Sequence, residues 1–204
     1  MSKYKLIYFN AKGIGEAIRM ILIHSGKQFQ DIRVDYNDWI SKLKKETPFG
    51  KLPILKIDNR IAHQSMAICR YIGKETNLAG SNNWQDLEID MNAETFIDFK
   101  QNVTSLFLEE KQDIKEKKLQ ILLNETIPYY FGRFDGIIQE NGGYFGHTKL
   151  SWADFYLVGY SETVEAIVRR RVFEEYTNMA EHRRRIYRLP KIKQWILNRP
   201  ITEY

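Results

Sequence analysis

A single cysteine, Cys69, stands among 204 residues, which excludes an intrachain disulfide framework and any Cys-x-x-Cys redox or zinc pair. Long apolar runs are missing as well. The longest reach about four residues, as in Met20 to Ile23, against the ~18 that a membrane-crossing helix needs. The opening MSKYKLIYFN carries positive charge but neither the apolar stretch of a secretion signal nor a small-residue cleavage site. The expectation is a cytoplasmic protein with no membrane span. Without an export signal, Asn102-Val103-Thr104 and Asn124-Glu125-Thr126 read as chance matches to the glycosylation pattern. Internal repeats and low-complexity tracts are also lacking, which sets aside disorder, collagen and coiled-coil arrays. What is present, 43% hydrophobic and 28% charged residues, suffices for one or two compact cores.

The formal net charge of +5 raises the question of nucleic acid. Residues 169 to 188 hold seven arginines against three glutamates, a net of +4, so the rest of the chain carries only +1. No zinc-finger spacing, RNA-recognition signature or basic zipper accompanies that segment, and no nucleic-acid partner is expected. The segment reads either as a solvated helix face or as a site that attracts anionic ligands.

The chain changes character near residue 80. Lys5 to Phe9 is a short β-prone run, and Ile14, Ile18, Ile21 and Leu22 then take helical spacing until Gly26. Phe29 to Val34 alternates as a second strand, which the intervening helix places parallel to the first. A short amphipathic piece covers Trp39 to Lys45. Leu52 to Ile57 and Arg60 to His63 flank Asp58-Asn59, a turn pair suited to a hairpin. Ser65 opens a helix that ends near Gly73 to Asn77. After Gly80 to Asn83 the strand signal disappears. Residues from Leu119 to Ile138 keep helical spacing across Pro128, predicting one long helix with a local kink. Ser151 and Asp154 fit a capping box, and Lys191 to Leu197 forms a last amphipathic piece between prolines.

Four features of the amino-terminal unit occur in a fixed order: Tyr8 at the end of the first strand, Pro53 entering the third, Gln64-Ser65 at a helix start, and Lys and Trp residues between them. Singly, these are a strand aromatic, a turn and a cap. Together they suit a small anionic peptide, its main chain paired with the segment before the proline and its carboxylate at the amino end of the Ser65 helix.

The stretches KYKLIYFN, TPFGKLPIL, His63-Gln64-Ser65, Ala67 to Ile72 and SWADFY together resemble the cytosolic glutathione S-transferases of the sigma class. That class includes haematopoietic-type prostaglandin D synthases and insect sigma enzymes. The resemblance covers essentially the whole chain. It implies an α/β thioredoxin-like domain (1–79) that binds glutathione, an all-α domain (80–204) that lines the acceptor pocket, and a homodimer. It further implies conjugation of the glutathione thiolate to lipophilic electrophiles, or isomerisation of prostaglandin H2 to a D- or E-type product with glutathione as cofactor. A non-catalytic, S-crystallin-like structural or ligand-binding role is the alternative.

In this resemblance Tyr8 matches the catalytic tyrosine, whose hydroxyl donates to the glutathione sulfur. A free thiol of pKa ~8.5 is about 3% ionised at pH 7. Lowering it by two units needs about 2.7 kcal/mol, within reach of a charge-assisted hydrogen bond plus a helix dipole. Trp39 and Lys44, the latter chosen from Lys42, Lys44 and Lys45, match the residues at the glycyl end. Gly50, Lys51 and Leu52, before a cis Pro53, match the stretch that pairs with the central cysteine. Gln64 and Ser65 match the γ-glutamyl binders, and Asp98 matches a residue reaching across the dimer. Phe9, Gly13, Ile14, Tyr156, Tyr160 and Tyr204 are expected to line an apolar acceptor pocket. Cys69 is expected to be a packed core thiol.

The chain departs from the vertebrate prostaglandin D synthases at Ile14, where they carry arginine, and at Val103-Thr104-Ser105, where they carry tryptophan. Their acidic metal cluster is reduced to Glu94 and Asp98, so no metal is expected. Other chemistries lack their residues: Lys12-Gly13-Ile14-Gly15 has Ile18 at the third glycine position of a dinucleotide loop. The four histidines show no ligand spacing, and no serine sits in Gly-x-Ser-x-Gly.

Overall fold

The structure is a computed structural model describing residues 3–204, so Met1 and Ser2 of the expected first domain lie outside the described residues. Its sheet is built from β1 (Tyr4–Phe9), β2 (Phe29–Val34), β3 (Ile54–Ile57) and β4 (Arg60–His63), in the order β2-β1-β3-β4. β1 runs parallel to β2, from Tyr4 opposite Phe29 to Phe9 opposite Val34. It runs antiparallel to β3, and β3 and β4 form the expected hairpin, with Asp58 at φ 52° in its turn. Helix α1 (Gly15–His24) makes the crossover between the parallel strands.

Three helices carry the chain on from the sheet's edges. The expected piece at Trp39 to Lys45 is two: α2 (Tyr36–Ser41) and a 3-10 turn at Leu43–Glu46, separated where Lys42 leaves helical dihedrals. Helix α3 (Ser65–Glu75) follows β4, and α4 (Asn83–Phe107) begins after the expected linker, with the Asn82 side chain accepting from the Gln85 N–H. No plain sequence signal marks α4. Its buried stripe, Ile89, Ala93, Phe96, Phe99, Val103 and Leu106, has helical spacing but is interleaved with polar residues.

The predicted long helix is α5 (Gln112–Ile121) continuing into α6 (Ile127–Glu140) through a π-helical turn at Leu122–Thr126. Pro128 has no N–H to return to the carbonyl four residues back, and the wider turn sits immediately upstream of that gap. Helix α7 (Trp152–Val168) starts with the expected Ser151–Asp154 capping box. The fully buried Asp154 also accepts from the Phe145 N–H at 2.6 Å and lies 2.8 Å from His182 Nε2.

Helices α8 (Thr177–Arg188) and α9 (Pro190–Asn198) complete the bundle. Three of the seven arginines between residues 169 and 188 are paired close by: Arg170 with Glu175, Arg183 with Glu165 and Glu174, and Arg184 with Glu174 and Glu181. Among the described residues no helix is long and apolar enough to cross a membrane.

One core joins the two units. Every residue of α1 from Gly15 to Leu22 is buried, because the helix is pressed against α7 on the side away from the sheet. The approach is close enough that a side chain at Gly159 would meet the Ala17 main chain at 2.6 Å. The amino end of α1 is thereby held at the junction of sheet and bundle, beside the open cleft described next.

Candidate active site

Tyr8 occupies the next-to-last position of the central strand β1, and its ring runs toward the amino end of α1. A side chain at Gly13 would collide with the phenol oxygen, and one at Gly15 with the ring. Gly13 also adopts φ 44°, in the left-handed region, so both space and backbone demand glycine there. The Ile14 and Gly15 N–H groups lie near enough to the phenol oxygen to favour its ionised form, and Tyr8 lines the open cleft. Burial is the largest influence on this phenol. It outweighs the stabilisation from the Ile14 N–H, from Arg19 and from the Gly15 N–H, and holds the pKa above its ordinary value of 10. Tyr8 is a hydrogen-bond donor throughout the neutral range.

Arg19 was not anticipated. Its guanidinium carbon lies 5.7 Å from the centre of the Tyr8 ring, fully buried. It bonds the Ala11 carbonyl at 2.8 Å, Glu16 at 3.2 Å and Asp31 at 3.0 Å, while Nη2 has no partner. It is the buried cation nearest the phenol and braces the loop from β1 to α1. An arginine inside the apolar face of EAIRMILIH was the signal for it.

The residues expected at the peptide site lie on α2, on the connection from α2 to β3 and at the start of α3. Trp39 is buried and meets Phe9 edge-on at 5.7 Å. The Lys44 stem lies over Gly50, whose added Cβ would sit 3.4 Å from Lys44 Cγ, whereas the Lys42 ammonium lies 3.9 Å from Asp38. Lys51 is exposed, Leu52 half-buried and Pro53 buried, and the Leu52–Pro53 peptide is cis. The β1–β3 ladder ends at Ile7–Ile54, so Leu52 lies just beyond the last paired residue.

Gln64 sits at φ 71°, ψ 108°, a backbone conformation that non-glycine residues adopt only where the surroundings impose it. It precedes α3, whose first turn no side chain caps, so unpaired N–H groups and the helix dipole face that end. The Ser65 hydroxyl, the first residue of α3, is 2.9 Å from the Tyr156 hydroxyl.

Beside Tyr8 opens a cleft of about 770 Å³, lined by Tyr8, Phe9, Gly13, Ile14, Tyr160 and Tyr204 among others. Tyr156, expected with them, lies behind this wall: it is 1% exposed, and its hydroxyl is engaged with Ser65. Spacing alone could not separate it from Tyr160, one turn on along α7. Burial raises the phenol pKa of both. Lys100, Thr104, Phe107 and Leu108, none of them expected in the pocket from the sequence, supply the α4 side. Tyr204 closes one end, its ring 5.2 Å from that of Phe107 and its main-chain oxygen accepting from the Lys12 N–H. Asp98 is not part of this assembly; it is exposed on α4.

Comparison with known proteins adds independent findings. Residues 4–74 match the family model described as glutathione S-transferase, N-terminal domain, and residues 97–199 the model described as glutathione S-transferase, C-terminal domain. The chain is 34% identical to glutathione S-transferase S1 of Drosophila melanogaster over 98% of its own length and 80% of that protein's. It is 35% identical to hematopoietic prostaglandin D synthase of Rattus norvegicus across the full length of both. The solved structure of prostaglandin synthase D of Nilaparvata lugens superposes with a TM-score of 0.94 at 40% identity, over 98% of this chain and 100% of that one.

Proposed function

This chain belongs to the glutathione S-transferase family, and we propose that Tyr8 is the residue through which it activates glutathione for transfer to lipophilic electrophiles. Glutathione supplies the nucleophilic sulfur. The chain supplies a neutral hydroxyl, held by its packing against Gly13 and Gly15 and lining an apolar cleft, and that arrangement carries the reading. A protonated phenol beside main-chain N–H groups and a buried guanidinium is a good hydrogen-bond donor to a thiolate.

The remaining roles follow from position. Residues 1–79 hold the tripeptide. Gln64, Ser65 and the uncapped α3 turn take the γ-glutamyl carboxylate, the Leu52 main chain pairs with the cysteinyl residue, and Trp39, Lys44, Gly50 and Lys51 surround the glycyl end. Residues 80–204 complete the acceptor wall through α4, α7 and Tyr204. With Ile14 contributing a main-chain N–H and no cation, Arg19 beneath the Tyr8 ring is the positive charge that supports the phenol.

A homodimer is part of this reading, with Asp98 of each copy reaching the other's γ-glutamyl amine. Exposed Tyr71, Leu87 and Met91 on α3 and α4 support an interface there. Residence in the cytosol belongs to the same proposal.

The similarity to proteins named prostaglandin D synthase favours a second use of the site, isomerisation of prostaglandin H2, in which the thiolate opens the endoperoxide and is returned unconsumed. The deciding experiment compares turnover of a chloronitrobenzene by the parent and by Tyr8→Phe, followed by product analysis with prostaglandin H2. Equal rates in the two proteins refute the tyrosine mechanism. An unchanged spontaneous product mixture removes the isomerase. A parent that binds glutathione without turning over either substrate has a binding or structural role.

A further inference from the structure

We propose that Lys100 makes the acceptor cleft a site for electrophiles carrying a carboxylate, with the ammonium group binding the anionic end of a long apolar molecule. The inference deepens the transferase reading and rests on it. Lys100 projects from α4 into the same cleft as Tyr8. Its Nζ lies 5.7 Å from the centre of the Tyr160 ring, a cation–π contact. No carboxylate among the described residues lies within ion-pair reach of it, and the cleft's other charged lining residue, Asp35, forms no bridge to it. One turn further along α4, Thr104 also lines the cleft, its hydroxyl bonded to the Lys100 carbonyl.

A half-buried ammonium whose partner among the described residues is an aromatic face carries a desolvation cost, and burial holds the Lys100 pKa below its ordinary value. A neutral ligand leaves that cost in place. A carboxylate offsets it through a charge-assisted hydrogen bond in a low-dielectric wall. Phe9, Ile14, Phe107, Leu108 and Ile167 surround the rest of the cleft, so the complementary molecule has one acidic end and an extended hydrocarbon body that brings its electrophilic atom toward Tyr8. Unsaturated or oxidised fatty acids have that form.

The test is equilibrium binding of cis-parinaric acid and its methyl ester, followed by fluorescence, to the full-length protein saturated with S-methylglutathione. The parent is expected to prefer the acid by about tenfold or more, about 1.4 kcal/mol. Lys100→Met is expected to bring the ratio near one, and Lys100→Arg to preserve it. Equal affinity of the parent for acid and ester, or an unchanged ratio in Lys100→Met, overturns the proposal. If Lys100→Met does not fold, the parent's own ratio and Lys100→Gln decide in the same way. The readout needs no turnover, so a catalytically silent protein that keeps the acid preference loses the transferase reading and retains the carboxylate site.

Discussion

The Glu16 carboxylate accepts a hydrogen bond from Arg199 at 2.8 Å, although the two residues are 183 positions apart. The same oxygen accepts from the Trp195 indole at 2.7 Å, and the other faces Arg19 at 3.2 Å. The second arm of Arg199 reaches Glu162 on α7 at 2.6 Å. This network joins the first turn of α1, which packs against Tyr8 through Gly15, to the root of the carboxy-terminal tail. The tail then crosses the cleft with its Thr202 carbonyl held by Lys12 at 2.7 Å. Removing Arg199 leaves Glu16 buried with Arg19 as its remaining counter-charge. Arg199→Ala is expected to cost about 2 to 3 kcal/mol, less than the 3 to 5 typical when a buried charge loses its sole partner. The urea midpoint at constant slope measures it, and an unchanged midpoint would show that the network does not hold the tail.

Tyr8→Phe removes one donor without changing ring volume. The expected result is a fall of about 100-fold in kcat/KM, the usual effect of losing one preorganised donor to a developing anion, with glutathione affinity within a few-fold of the parent. Because burial keeps the Tyr8 phenol above 10, the parent's kcat/KM should rise once with pH, through ionisation of the bound thiol, and show no descending limb below pH 10. In Tyr8→Phe that single limb moves up toward ~8.5, the value of a free thiol. Ultraviolet absorbance of the thiolate in the binary complex reads the same shift directly. A limb at the same pH in both proteins would place thiol activation elsewhere.

Gly13→Ala tests the phenol's position from the other side. The added methyl collides with the Tyr8 oxygen, and a left-handed backbone costs a non-glycine residue about 1 to 2 kcal/mol. Activity should fall by more than the modest drop in melting temperature explains, with fluorescence-detected glutathione binding largely kept. Full activity would mean that the ring moves freely, against its packing.

The strand and helix order was legible because each short run has an unambiguous period. Leu6 and Ile18 could be assigned to the core from spacing alone, and they are fully buried. Helix α4 escaped because its apolar stripe carries Lys100 and alternates with acids and amides. The wide turn before Pro128 depends on hydrogen-bond geometry that composition does not encode. At the site, Tyr8, Gln64 and Ser65 were readable because their sequence neighbours carry the pattern. Lys100 was not, and Arg19 had only its place in an apolar helix face to mark it, because a single charge on a helix normally points to water. Only the packing of α1 against α7, and the opening of the cleft beside α4, turns these two inward.

Cys69 offers a check on that core. It is fully buried, and the absence of solvent raises its thiol pKa well above the ordinary value. Since the thiolate is the reactive form, a disulfide reagent should leave native protein unmodified for hours and titrate one thiol at once in denaturant. Rapid modification of the native chain would contradict the packing of α3.

The pH dependence of stability should carry the signature of Glu162. Burial disfavours its charge, but Arg199, then the Tyr187 hydroxyl and Lys12, outweigh that effect and hold the carboxyl below its ordinary 4.5. A group whose folded pKa is depressed binds fewer protons in the native state than in the unfolded one. Its contribution is therefore complete above the unfolded value and is lost as pH falls through the folded one. Between pH 6 and 8 the urea midpoint should be indifferent to Glu162 titration; below about 4.5 it should decline. In Glu162→Gln the neutral amide cannot repeat the pairing with Arg199, so the midpoint should be lower at pH 7 and the acid decline shallower, the two curves converging as the parent's carboxylate is protonated. Parallel curves would show that other carboxylates govern the acid limb, and that the link between α7 and the tail contributes no charge-dependent stability.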